Sequence, residues 1–280
     1  MDKVIITAAL NGALSPKSLN PNVPQTPQEI AADAIACWNA GAAIVHLHMR
    51  DEQGNGSLSK ERFAETVKII KAKAPNVVIN LTTSGDLKAS DEVRMAHIIE
   101  LQPEIASFNA GTFNWLPAAV FTNRPEFMEK LGKTMQQYGV KPEMECFDLG
   151  HIGAMKYFME KGFLPTKIPQ YQFVLGAQGA AEATVDNLLY FRRQIPADAA
   201  WTAFGIGRAH IPIMYAVIAL GGNVRVGLED NLYYAKGDLA TNARLVERAV
   251  RVVKEATKDI ASPDEARQML GLKGADKVNF

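Results

Sequence analysis

The sequence predicts a (β/α)8 barrel with an extra C-terminal helix. Three observations carry this expectation: about eight strand-like runs alternate with helix-patterned segments, they fit within one domain-length chain, and no glycine-rich dinucleotide fingerprint follows the first run. Strand and helix in alternation favour parallel pairing, which both open doubly wound sheets and closed barrels satisfy. The number of units and the missing fingerprint favour closure. At 280 residues and 48% hydrophobic content, the chain can bury one full core and is too short for two generous ones. Residues 1–280 are therefore expected to form a single domain.

The strand-like runs are residues 4–10, 43–49, 77–83, 105–110, 142–147, 171–175, 200–206 and 224–228. Between the first two, Thr26, Pro27, Gln28 and Glu29 spell a capping box with proline at the first helical position; Ile30, Ala34, Cys37 and Trp38 follow at helical spacing, and Gly41 ends the helix. Ser59 caps the next, which carries Phe63, Val67 and Ile70 on one face and has Pro75 beyond its end. Thr241 opens a later helix containing Leu245, Val246, Ala249, Val250 and Val253. Ser262, Pro263, Asp264 and Glu265 repeat the capping-box pattern, which is the source of the extra C-terminal helix.

Composition narrows the partners. Thirty basic and thirty acidic residues cancel, and no block of Lys or Arg stands out, so no nucleic-acid or anionic membrane partner is expected. No apolar run approaches the roughly 20 residues that span a bilayer. The amino terminus moves directly into a strand-like run without a signal-type segment, so a cytoplasmic protein is expected. Cys37 and Cys146 lie in apolar settings and read as buried free thiols. Small molecules are the expected partners.

The chemistry gathers at the strand ends. His46 and His48 are two apart at the polar end of an apolar run, so on a strand both imidazoles share a face and can reach one metal ion. Period-two reading puts other polar side chains on one face as well: Asn80, Thr82 and Ser84; Ser107 and Asn109; Glu143 and Glu145; Arg225 and Glu229. Barrel active sites are built at the carboxyl ends of the strands, and a purely structural barrel fills its layers with Val, Ile and Leu. Glu229, on the last strand, is the third metal ligand chosen here. Glu143, Glu145 and His210 compete for that role, and an ion pair between Glu229 and Arg225 is the structural alternative. Two imidazoles and one carboxylate suit Zn2+ with a position left open, and Fe2+, Mn2+, Co2+ or Ni2+ can use the same set. Asp230 points away from the metal on a regular strand unless the loop turns it; held beside Arg225 and a cation, it is a candidate base for a carbon acid.

At these residues the chain resembles the β-keto acid cleavage enzymes, nearly end to end. The carriers are Thr7, Ala8 and Ala9 with Asn11, Gly12 and Ala13; the stretch His46, Leu47, His48, Met49, Arg50; Asn109, Ala110, Gly111 and Thr112; Phe173, Val174, Leu175 and Gly176; Gly205, Ile206, Gly207, Arg208, Ala209, His210, Ile211 and Pro212; and Arg225, Val226, Gly227, Leu228, Glu229, Asp230, Asn231. The resemblance implies a zinc-dependent (β/α)8 barrel, usually oligomeric, and a homo-tetramer is the expectation for this chain. Such an enzyme condenses a β-keto acid with acetyl-CoA and releases acetoacetate and a new acyl-CoA by a retro-Claisen step. It implies His46, His48 and Glu229 as zinc ligands and Asp230, positioned by Arg225, as the base that removes the C2 proton.

Thr82 stands where a Ser is frequent in the family and Ser107 where a Thr is frequent; either hydroxyl, like the Asn109 amide, can bind substrate oxygen. Members acting on an amino-bearing keto acid have a Glu just after the Gly-Ala of the first loop, and this chain has Leu14. A leucine cannot pair an ammonium, so an uncharged aliphatic tail is expected. Arg50, Arg208 and Lys236 are possible coenzyme A contacts and are left unassigned. The alternative activity is a metal-dependent aldolase or hydrolase on the same barrel without coenzyme A.

Overall fold

The computed structural model describes residues 3–117 and 119–280. Eight parallel strands close into a barrel in chain order: β1 (Ile6–Ala9), β2 (Ile44–Leu47), β3 (Val78–Leu81), β4 (Ile105–Asn109), β5 (Lys141–Cys146), β6 (Gln170–Leu175), β7 (Ala200–Gly205) and β8 (Asn223–Val226). Closure is made by β8 on β1, where Val224, Arg225 and Val226 lie beside Ile6, Thr7 and Ala8. No barrel edge is left unpaired. The expected strands are all present, most ending a residue or two early because the chain peels outward into the rim loops. His46 therefore sits on β2, and His48 lies just beyond its end.

Around the barrel run α1 (Pro27–Ala40), α2 (Lys60–Lys73), α3 (Asp91–Leu101), α4 (Pro125–Gln137), α5 (Leu149–Glu160), α6 (Val185–Gln194), α7 (His210–Ala219) and α8 (Asn242–Glu255). α1 starts where its capping box placed it: the Thr26 side chain accepts from Glu29 N, and the Glu29 carboxylate accepts from the Thr26 N–H. Gly41 ends it at φ 114°, a left-handed conformation that glycine adopts without strain. Outward side chains of the strands, such as Val45, Leu47, Phe108, Met144, Phe173 and Val224, join the inner faces of the helices in one large apolar cluster.

The amino-terminal end of the barrel is sealed. Ile5, Ile44, Val78 and Ile105 pack against Ala261, Ala266 and Leu270, the last two on α9 (Pro263–Leu270), the expected extra helix. Arg267 of α9 reaches the buried Glu104 with two contacts of 2.8 Å. Above this apolar plug the barrel interior turns polar, and that gradient directs ligands to the opposite end. Cys37 and Cys146 are buried free thiols. Among the described residues, no helix is long and apolar enough to cross a membrane.

Candidate active site

Two glycines shape the mouth. After β8, Gly227 takes φ 148°, and a Cβ there would lie 1.9 Å from the Ala9 carbonyl oxygen, so only glycine lets the chain pass β1 so closely. The N–H groups of Asp230 and Asn231 both donate to the Gly227 carbonyl. This tight turn brings Asp230 back toward the barrel axis, against the outward direction that strand alternation gives it. Gly12, at φ 55°, leaves room for Glu229: a Cβ there would come within 2.6 Å of Glu229 Cγ.

His46, His48 and Glu229 converge. His48 Nε2 lies 3.4 Å from Glu229 Oε1 and His46 Nε2 3.7 Å from Glu229 Oε2, and one donor atom from each of the three falls within 4.8 Å of the others. Glu229 Oε2 is buried without a hydrogen-bond partner. Burial drives His46 down to about 3, so its imidazole is neutral and holds a free lone pair. Burial would raise Glu229, but Arg225 and the two histidines outweigh it and hold the carboxylate well below its usual range.

Arg225 is the hub of the charges. Its guanidinium clamps Asp230 with Nε to Oδ2 at 2.8 Å and Nη2 to Oδ1 at 2.9 Å, and it reaches Glu229 Oε1 at 2.7 Å and Glu145 Oε1 at 3.3 Å. The Phe204 ring lies under it, 4.5 Å away. Burial pushes Asp230 up to about 6 against the pull of Arg225, and pushes Glu145 up to about 8 despite the same cation. Burial thus favours the neutral form of Glu145, which limits the negative charge around Arg225. The structural ion pair between Arg225 and Glu229 and the convergence with both histidines are present together.

The competing ligands are engaged with other partners. Glu143 accepts from Asn80 at 2.6 Å and from Gln170 at 3.4 Å, and Glu145 accepts from Gln172 at 2.9 Å. His210 is outside the mouth, its Nδ1 against the Gly207 carbonyl at 2.8 Å and its Nε2 near Arg248 at 3.1 Å. Arg50 is buried and spans the carbonyls of Gly54, Asn11 and Ser15, tying rim loops together.

A cavity of about 370 Å³ opens above the charges. His48, Glu229, Asp230, Arg225, Glu145 and Asn109 form its polar floor, and Leu14, Leu87, Leu116, Phe121, Phe147 and Val174 form much of its apolar wall. Asn109 Nδ2 is buried and unpartnered. Thr82 and Ser107 do not reach this cavity: the Thr82 hydroxyl donates to the Ser84 carbonyl at 2.8 Å, and the Ser107 hydroxyl accepts from Thr83 N at 3.0 Å. From the sequence, Phe113 and Trp115 read most simply as core, with a subunit interface or coenzyme A channel as the alternatives. A hairpin pairing Phe113–Trp115 with Ala119–Phe121 brings its rings onto Phe147, and the alternation of Phe113 and Trp115 with polar Asn114 is the signal that marks it.

The family model for beta-keto acid cleavage enzymes matches residues 3–272. The chain belongs to that family. It is 42% identical to the 3-keto-5-aminohexanoate cleavage enzyme of Fusobacterium nucleatum subsp. nucleatum over 98% of this chain and 99% of that one. It is 38% identical to the 3-dehydrocarnitine:acetyl-CoA trimethylamine transferase of Rhizobium meliloti, over 96% of this chain and 97% of that one. The apo structure of ObcA superposes with a TM-score of 0.79 at 20% identity, over 90% of this chain and 66% of that one, a likeness of fold. As a beta-keto acid cleavage enzyme the protein is an enzyme of carbon–carbon bond exchange, and the constellation at the barrel mouth is its candidate active site.

Proposed function

We propose that this chain exchanges acyl groups between a β-keto acid and acetyl-CoA, releasing acetoacetate and a new acyl-CoA, and that His46, His48 and Glu229 hold a divalent ion, zinc by preference. The observation that carries the reading is the convergence of two imidazoles and a carboxylate beside an Asp clamped by a buried Arg. The donor set suits such an ion. One donor atom from each of the three lies within 4.8 Å of the others, a set that could hold one such ion. The unpartnered Glu229 Oε2 is one donor that lacks a role without it. When bound, the ion supplies Lewis acidity that favours the enolate of a keto acid over its ketone.

The chain's own residues do the rest. Asp230, with both oxygens fixed by Arg225, takes a proton from C2 of the keto acid. Asn109 Nδ2 donates to a substrate oxygen on the cavity floor. C2 then attacks the acetyl thioester carbonyl, coenzyme A leaves as thiolate, and the adduct carries two ketones on one carbon. Attack of the thiolate on the original ketone breaks the bond from C2 to that carbonyl and forms the new thioester. Asp230 returns its proton to C2 of acetoacetate. Thr82 and Ser107, committed to backbone groups, hold the rim after β3 in place. Leu14 and the apolar wall carry no charge and favour an uncharged aliphatic tail.

Metal-loaded protein with acetyl-CoA and a panel of straight-chain, hydroxylated and amino-bearing 3-keto acids, read by mass spectrometry, tests this. Acetoacetate with the acyl-CoA of a straight-chain acid is expected. Preference for the 5-amino acid sinks the aliphatic tail, and silence across the panel with metal bound moves the assignment to an aldolase or hydrolase.

A further inference from the structure

A second cavity, of about 890 Å³, lies beside the mouth between the loops that follow β7 and β8. Its lining is rich in cations. Arg208, Lys236, Arg248 and Arg251 face it with a single carboxylate, Glu255. None of the four cations forms an ion pair among the described residues, so four charges converge on one cleft against a single carboxylate. In a chain with no net charge, this is a local excess set in one concave place.

Neutral groups hold two of these cations in position. Arg248 Nη2 donates to the Tyr234 carbonyl at 2.7 Å, and its guanidinium lies 3.4 Å from the Tyr234 ring centroid. Arg251 Nη2 donates to the Tyr234 hydroxyl at 2.8 Å. Donors oriented by neutral partners keep their charge available to an anion. Tyr215 and Tyr233, 57% and 47% exposed, also line the cleft and offer ring faces, the surface on which a nucleobase stacks. Loops after the seventh and eighth strands are a recurrent phosphate site of this barrel architecture.

The cleft shares a wall with the active site. Ile206 and Asp230 line the catalytic cavity, while the next residues, Gly207 and Asn231, line the cleft; Gly207 N donates to the Asp230 carbonyl at 3.0 Å across that wall. A ligand anchored here by phosphates and passing over one turn of backbone delivers its far end to Asp230.

Resting on the acyl-exchange reading, we infer that this cleft binds the phosphorylated adenosine end of coenzyme A, its phosphates on Arg208, Lys236, Arg248 and Arg251 and its adenine against Tyr215 or Tyr233. The probes are adenosine 3′,5′-bisphosphate and inorganic phosphate in calorimetry, and acetyl-CoA against acetyl-pantetheine in turnover. The test variant is Arg208→Glu with Lys236→Glu; both side chains are exposed, and neither has a hydrogen bond or ion pair among the described residues, so folding is undisturbed. Arg251→Glu is the second variant.

The bisphosphate is expected to bind the parent and to bind the variants about tenfold or more weaker, and the ratio of kcat/KM for acetyl-CoA over acetyl-pantetheine is expected to fall by a similar factor. Undiminished bisphosphate affinity in both variants, or inorganic phosphate binding as tightly as the nucleotide, overturns the site. Bisphosphate binding that the reversals weaken in a protein without turnover supports the site and overturns the reaction; turnover with an unchanged ratio does the reverse.

Discussion

Arg225 holds three carboxylates at one end of the barrel, and its replacement by methionine, similar in length and uncharged, isolates what the cation contributes. The guanidinium makes two contacts of 2.8 and 2.9 Å with Asp230, one of 2.7 Å with Glu229 and one of 3.3 Å with Glu145, and its side chain is 2% exposed. Removing one partner of a buried ion pair costs about 3–5 kcal/mol. Protonation limits the damage, because burial already raises Asp230 to about 6 and Glu145 to about 8, so the expected loss is near the lower end, about 3 kcal/mol at pH 7. Urea unfolding followed by circular dichroism, with chelator present, measures it. In an Asp230→Asn background the same substitution is expected to cost at least about 1 kcal/mol less, since its main partner is already neutral. Both single variants lose roughly 10²–10⁴ in kcat as the base is removed or misdirected, and the double variant loses little more. A cost below about 1 kcal/mol, or costs that simply add in the double variant, refutes the reasoning.

Three further outcomes follow from the site and its surroundings. His48→Ala is expected to weaken zinc at least about a hundredfold in competition with a chromophoric chelator, since one of three donors goes; at about 100 times Kd, zinc adds roughly 2.7 kcal/mol to parent stability, and an unchanged affinity contradicts the ligand set. Leu14→Glu is expected to raise kcat/KM for a 5-amino-3-keto acid relative to a straight-chain acid by about tenfold or more, with no shift in the ratio counting against Leu14 as a wall of the tail site. Asp33, beside Asn242, is raised by burial from 3.8 to about 6. Its contribution to stability is therefore whole below about pH 4 and lost as pH rises through 6. Asp33→Asn should gain about 1–2 kcal/mol at pH 7.5 over its effect at pH 4, and a pH-independent effect removes that account.

Much of the barrel was legible because its signals are local and repeated. The capping boxes at Thr26 and Ser262 fix two helix starts through side-chain to backbone bonds within four residues, and strand alternation separates His46 and Arg225 from Val45 and Val226 without any tertiary information. What was hidden depends on where loops turn. The direction of Asp230 is set by Gly227 pressed against Ala9, a contact between the first and last strands. Thr82 and Ser107 have the residue type of substrate binders, yet backbone groups two residues and a strand away occupy them. Two nitrogens of Arg50 are likewise taken by carbonyls, that of Gly54 nearby and those of Asn11 and Ser15 from a loop distant in sequence. Polar type and face were readable, and partner choice was not.

The order of bond changes gives the most direct test. Acetyl-CoA carrying ¹³C at both acetyl carbons, turned over with a straight-chain 3-keto acid and zinc, is expected to place all label in C3 and C4 of acetoacetate and none in the new acyl-CoA, because C2 of the keto acid attacks the acetyl carbonyl and keeps it. Label in the new acyl-CoA, or unlabelled acetoacetate, contradicts the account.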